Sequence, residues 1–152
     1  VLILLGSGEE DYEKRLASIA ARHTNLVFLR GYAEEFGNLH YHGGDLFLMP
    51  SSFEPCGISQ MLAMRSGQPC VVHGVGGLHD TVESRVTGFV FAGRTRAEQS
   101  AAFVDCVGQA LQLRHDHPSR WQKIRKQAAA QRFDWASSAR QYIGQLYEHD
   151  RN

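Results

Sequence analysis

Apolar residues follow two rhythms along this chain. Short continuous runs, Val1-Leu2-Ile3-Leu4-Leu5, Leu26-Val27-Phe28-Leu29, Leu46-Phe47-Leu48-Met49, Cys70-Val71-Val72 and Gly88-Phe89-Val90-Phe91, show no polar alternation. Most are closed by glycine or proline, as expected of strands buried on both faces. Between them the apolar residues recur at helical spacing. Tyr12, Leu16, Ile19 and Ala20 place a helix over 9–22, with acids in its first turn where the helix dipole favours them. Further helices are predicted over 34–42 and 57–65, the latter ending at Gly67. Strands alternating with helices through short connections predict a parallel sheet with right-handed crossovers, a Rossmann-like doubly wound α/β fold. Beyond Arg96 the strand runs stop. Breaks at His117-Pro118 and Phe133-Asp134 divide the remaining pattern into helices near 96–114, 118–131 and 135–148. No repeat or low-complexity linker intervenes, so one domain over 1–152 is expected.

Composition narrows the class. An apolar fraction of 43% and a charged fraction of 21% exclude a disordered tail, a collagen and a disulfide-rich miniprotein. The 16 basic and 16 acidic side chains cancel, so no global field draws the chain to nucleic acid or to an anionic membrane. The cancellation is uneven: residues 1–54 hold 4 basic and 8 acidic side chains, and residues 94–132 hold 8 basic and 3 acidic. Solvated helical faces explain such a split more simply than a partner surface does. Cys56, Cys70 and Cys106 are odd in number and lack CxxC spacing, which argues against a disulfide framework or zinc ribbon and fits a reducing, cytoplasmic compartment. No apolar run approaches the roughly 18 residues of a membrane span, and the N-terminus lacks a signal peptide's basic region. The chain opens directly on a strand with no initiator methionine, which leads us to expect the interior of a longer protein.

Open α/β sheets bind ligands at the carboxyl ends of their strands. The loops there are Gly6-Ser7-Gly8, Arg30-Gly31-Tyr32, Ser51 to Gly57, and His73 to Leu78, and they hold most of the unusual residues. After the third strand, the amides of Gly57, Ile58 and Ser59 open a helix, a site for phosphate that needs no lysine. Glu54 just ahead would repel a phosphate but can accept hydrogen bonds from a polyol attached to one. It can equally cap the helix, and the residues alone leave both readings open. After the fourth strand, His73-Gly74-Val75-Gly76-Gly77-Leu78 offers consecutive amides for an anion-binding nest. A tight strand-to-helix turn needs the same glycines, and this is not the dinucleotide GxGxxG. Gly6-Ser7-Gly8 reads as a structural turn. The histidine pairs His40/His42 and His115/His117 lack zinc-site spacing, so no metal is expected there. His73 and His79 flank the glycine loop within reach of a phosphate, and a Cys56–His73 nucleophile pair is a weaker alternative.

Taken together, Pro50-Ser51-Ser52-Phe53-Glu54-Pro55-Cys56-Gly57-Ile58-Ser59-Gln60-Met61 and Gly76-Gly77-Leu78-His79-Asp80-Thr81-Val82 strongly resemble the bacterial glycogen and plant starch synthases. These are retaining, nucleotide-sugar-dependent glucosyltransferases of the two-domain GT-B fold. The resemblance covers nearly the whole chain, including Leu5-Gly6-Ser7-Gly8, Gly31-Tyr32 and Phe133-Asp134-Trp135. It implies a nucleotide-sugar-binding C-terminal domain that takes ADP-glucose as donor. An α-1,4-glucan acceptor would be held by a further, N-terminal domain, and neither a metal nor a cofactor would be needed. Glu54 matches the acidic residue lining the donor sugar. Gly57, Ile58 and Ser59 match the helix start whose backbone holds the nucleotide. Gly76 and Gly77 match the loop that cradles phosphate and sugar, with Cys56, Val75 and Leu78 in the same two loops. Tyr32 matches an aromatic position against the base. The mechanism implied is front-face departure of the diphosphate, with Glu54 placing and polarising the sugar.

The pattern departs at Ser52, where the family usually has arginine or lysine, and at Val75, where it has threonine. Leu62 stands where broader relatives carry a second glutamate. The family's arginine and lysine that neutralise the diphosphate match nothing in this chain and would lie upstream of Val1. Two other classes therefore stay open: a GT-B transferase with another donor or acceptor, and a non-catalytic sugar-nucleotide-binding protein.

Overall fold

A computed structural model describes residues 1–147 and divides the chain into two compact units, Val1–His40 and Tyr41 onward. The hydrophobic pattern carries no signal of that division. In the first unit, β1 (Leu2–Gly6), α1 (Glu10–Ala20) and β2 (Leu26–Arg30) lead into α2 (Glu34–Gly43). β1 and β2 are parallel, in register from Leu2 opposite Leu26 to Gly6 opposite Arg30. The acids Glu10, Asp11 and Glu13 occupy the first turn of α1, where its dipole favours them.

The second unit holds β3 (Phe47–Met49), α3 (Ser59–Arg65), β4 (Cys70–His73), α4 (Gly76–Thr81), β5 (Gly88–Phe91), α5 (Arg96–Asp116), α6 (Pro118–Ala130) and α7 (Trp135–Tyr142). A π-helical turn over Ile143–Tyr147 follows, and the expected helix end at 148 lies outside the described residues. β3, β4 and β5 form a parallel ladder in that order. The α/β class with parallel strands is as expected. Its hydrogen bonds form two ladders, one per unit, rather than the single sheet the alternation predicts.

β4 is the partition of the second unit's core, buried along its whole length. Side chains alternate across a strand, so Cys70 and Val72 enter one cluster with Ala63, Met64, Leu78, Val82 and Ala128. Val71 enters the other, with Phe89, Phe91, Ala110, Leu113, Trp121 and Ile124. Each such aliphatic or aromatic side chain contributes on the order of 1.5–3 kcal/mol on burial. These two clusters clamp the sheet between α3/α4 and α5/α6, so the loops at the carboxyl ends of β3 and β4 rise from a rigid base.

Helix ends follow local chemistry. Thr95 and Glu98 form a reciprocal capping box on α5, Pro118 opens α6, and Asp134 caps α7 by accepting from the Ser137 amide at 2.7 Å. α4 is absent from the sequence prediction because six residues containing two glycines show no apolar period. No helix among the described residues is long and apolar enough to cross a membrane.

Candidate functional site

The loop after β3 begins at Pro50 and ends at Gly57, whose φ of 74° is a left-handed value suited to glycine. Ile58 is the N-cap of α3, and no side chain caps that helix. This removes the capping reading of Glu54. Its carboxylate does not cap α3; it is half-buried and makes no hydrogen bond or ion pair among the described residues. An ionised carboxylate is an acceptor only, so this group is free to take hydroxyl donors. The amides of Gly57, Ile58 and Ser59 likewise donate to no backbone carbonyl among the described residues. The Ser59 hydroxyl is engaged, accepting from the Tyr41 hydroxyl at 3.0 Å, while the Tyr41 ring packs on Phe47.

The loop after β4 packs backbone against backbone on the first. Gly77 donates its amide to the Glu54 carbonyl at 3.1 Å. A Cβ at Gly77 would run into the Cys56 carbonyl, and one at Gly76 into the Glu54 carbonyl. Both glycines are thus demanded by the neighbouring loop. Leu78 donates to the Val75 carbonyl at 3.1 Å and is fully buried, and Val75 is half-buried against the same core. Of the glycine-loop candidates, Gly76 is the one whose amide meets no backbone acceptor among the described residues.

His73 is buried, with Nδ1 donating to the Ser51 carbonyl at 3.0 Å and its ring stacked on Phe91 at 5.1 Å. Cys56 is exposed, and its Sγ lies 3.7 Å from the Gly57 carbonyl. The two side chains are committed elsewhere, so the Cys–His pair is not assembled. Burial pushes the Cys70 thiol far up, and raises that of Cys106 against the opposing charge of Arg85. His79 pairs with Asp80 on the surface, His42 with Ser66, and His115 with Asp116. No group of three His, Cys, Asp or Glu side chains among the described residues is placed to hold a metal ion.

In the first unit, Gly31 at φ 121° donates to the Gly6 carbonyl at 3.0 Å, and Tyr32 follows with 87% of its surface exposed. Glu13 stitches this end together. Its Oε1 accepts from the Gly8 amide at 2.9 Å and its Oε2 pairs with Arg30 at 2.6 Å. In the sequence Glu13 is one more acid in a helical first turn, with nothing to mark its partners.

A second residue missed is Gln60, fully buried, whose amide nitrogen reaches the carbonyls of Cys56 and Gly57. Its position in α3 carries no sequence signal, because the partners are set by the loop's path. A groove of about 540 Å³ runs between α3 and the α6–α7 link, but neither Glu54 nor the glycine loop lines it.

Comparison with known proteins agrees with this picture. The family model described as "Glycosyl transferases group 1" matches residues 1–112. The glycogen synthase of Paracidovorax citrulli is 38% identical over 99% of this chain, and that of Syntrophotalea carbinolica 35% identical over 96%. In both cases the chain spans about 30% of the relative's length. Among solved structures, the catalytic domain of starch synthase IV from Arabidopsis thaliana, bound to ADP and acarbose, is 28% identical with a TM-score of 0.77. That match covers 93% of this chain and 31% of the plant one. Anabaena HepE in complex with UDP-glucose is 27% identical with a TM-score of 0.68, covering 96% of this chain and 40% of its own. The α/β arrangement shared with these GT-B enzymes is the one the residues predict. With the matched model extending through both site loops, the chain belongs to the group 1 glycosyl transferases.

Proposed function

We propose that this chain binds a nucleotide sugar, ADP-glucose foremost, and serves as the donor half of a retaining glucosyltransferase of the glycogen synthase type acting on an α-1,4-glucan. The observation that carries the reading is the Glu54 carboxylate, half-buried and without a protein partner among the described residues, on a residue whose backbone carbonyl accepts from the Gly77 amide of the glycine loop. In this reading Glu54 accepts from hydroxyls of the donor sugar. The open amides of Gly57, Ile58, Ser59 and Gly76 meet the phosphates. Charge on the departing diphosphate is left to cations outside these 152 residues, and transfer proceeds without a metal or organic cofactor. The three free thiols fit a reducing cytoplasm.

The test is calorimetry of the chain with ADP-glucose and UDP-glucose, paired with a transfer assay of the full-length enzyme. Weak binding by the chain alone, no transfer by it, and ADP-glucose turnover by the full-length enzyme in the presence of a chelator are expected. Turnover by the 152-residue chain would overturn this division of labour. A second reading, a UDP-sugar donor, is favoured by the similarity to HepE and by Ser52 and Val75, and preference for UDP-glucose in the same assay would select it.

A further inference from the structure

We infer that Gln60 and Thr81 are positioning residues: a hydrogen-bond ring through their side chains, centred on the buried Gln60, fixes the Glu54–Gly57 backbone against α4 and so sets where the Glu54 carboxylate lies. The kinetic part of this inference rests on the proposed function. Gln60 is fully buried, and its Nε2, with two hydrogens to give, lies within hydrogen-bond distance of three acceptors: the Gly57 carbonyl at 2.9 Å, Thr81 Oγ1 at 3.1 Å and the Cys56 carbonyl at 3.2 Å. Thr81 Oγ1 donates in turn to the Gly77 carbonyl at 2.6 Å. The Gly77 amide donates to the Glu54 carbonyl at 3.1 Å, which closes the ring onto the loop where it began.

The polarity of the ring admits few substitutes. Thr81 gives its hydrogen to Gly77, so towards Gln60 it can only accept, and the two loop carbonyls that share the Gln60 amide are acceptors as well. Gln60 Oε1 is buried with no partner among the described residues, so the side chain is held by its donor end alone. A glutamate there would turn acceptors toward acceptors. An apolar side chain would leave the Cys56 and Gly57 carbonyls without this donor. Neither Gln60 nor Thr81 is assigned a substrate contact, and their effect passes through the backbone that carries Glu54.

The experiment uses the full-length enzyme with Thr81→Val, Thr81→Ser and Gln60→Met. Hydrogen exchange of the segments 52–58 and 76–82 is measured alongside kcat and donor KM. Thr81→Val and Gln60→Met should speed exchange in both segments and lower kcat by about 10²-fold, the cost of an ångström-scale misplacement, with little change in donor KM. Thr81→Ser, which keeps the hydroxyl, should restore both readouts. If Gln60→Met fails to fold, Thr81→Val carries the test. Unchanged exchange in Thr81→Val, or faster exchange with unchanged kcat, overturns the inference. A wild-type enzyme inactive on every nucleotide sugar, with Thr81→Val still loosening both segments, defeats the proposed function while leaving the ring in place.

Discussion

The amide of Gly77 donates to the carbonyl of Glu54 across 3.1 Å, so a single backbone hydrogen bond ties the glycine loop to the loop that carries the unpartnered carboxylate. Such an approach leaves no room for a side chain, since a Cβ at Gly77 would meet the Cys56 carbonyl. Gly77→Ala should therefore destabilise the fold by about 1–3 kcal/mol, the usual cost of overpacking, as read by denaturant unfolding. Gly37→Ala is the control. Nothing lies near its added methyl group in α2, and it should be neutral or stabilising by about 0.5–1 kcal/mol.

Ser59 separates backbone from side-chain binding. Its hydroxyl serves Tyr41, so Ser59→Ala should cost about 0.5–1.5 kcal/mol of stability. Donor affinity measured by calorimetry should hold, because the amide is the proposed ligand. An affinity loss of about tenfold, or 1.4 kcal/mol, would reassign the contact to the hydroxyl.

The cysteines offer a reporter of occupancy. Cys56 is exposed in the Glu54 loop, whereas Cys70 is buried and its thiol is held strongly in the protonated form. Thiol-reagent labelling followed by mass spectrometry should modify Cys56 first and Cys70 only on unfolding. Saturating nucleotide sugar should slow labelling at Cys56, and an unchanged rate would count against binding at this loop.

The cap of α7 makes a pH prediction. Hydrogen bonds from Ser137 hold the Asp134 carboxyl below its ordinary value. A depressed folded-state pKa means the contribution is fully present above the unfolded value of about 3.9 and is lost as pH falls through the folded one. The protection of the Ser137 amide, taken against its intrinsic exchange rate at each pH, should fall over that acidic window. Asp134→Asn, which keeps a capping oxygen without the charge, should flatten the profile.

Much of this architecture is legible in the hydrophobic rhythm. The five strands fall where continuous apolar runs predict them, although only β4 and β5 are buried as such runs lead one to expect, whereas β1, β2 and β3 are half-buried or exposed. α1, α2 and the three C-terminal helices also appear, with ends shifted by a few residues. Glu54, Gly57 and Gly77 could be singled out by residue type and spacing. Their partners could not. Gln60 and Thr81 are polar residues on short helices whose meaning depends on a loop crossing from another part of the chain. Glu13 looks like dipole complementation until Arg30 and Gly8 are seen beside it. The choice between capping and an open carboxylate at Glu54 likewise required the actual N-cap of α3. Short-range pattern identifies elements, while buried polar contacts between elements are tertiary facts.

The most direct test of the central claim is steady-state transfer by full-length Glu54→Gln, which keeps the side chain's size and removes its charge. If Glu54 places and polarises the donor sugar, kcat should fall by about 10²–10³-fold, with donor KM changing little and the unfolding transition preserved. A folded Glu54→Gln enzyme that keeps the wild-type kcat would mean that the Glu54 carboxylate neither places nor polarises the donor sugar.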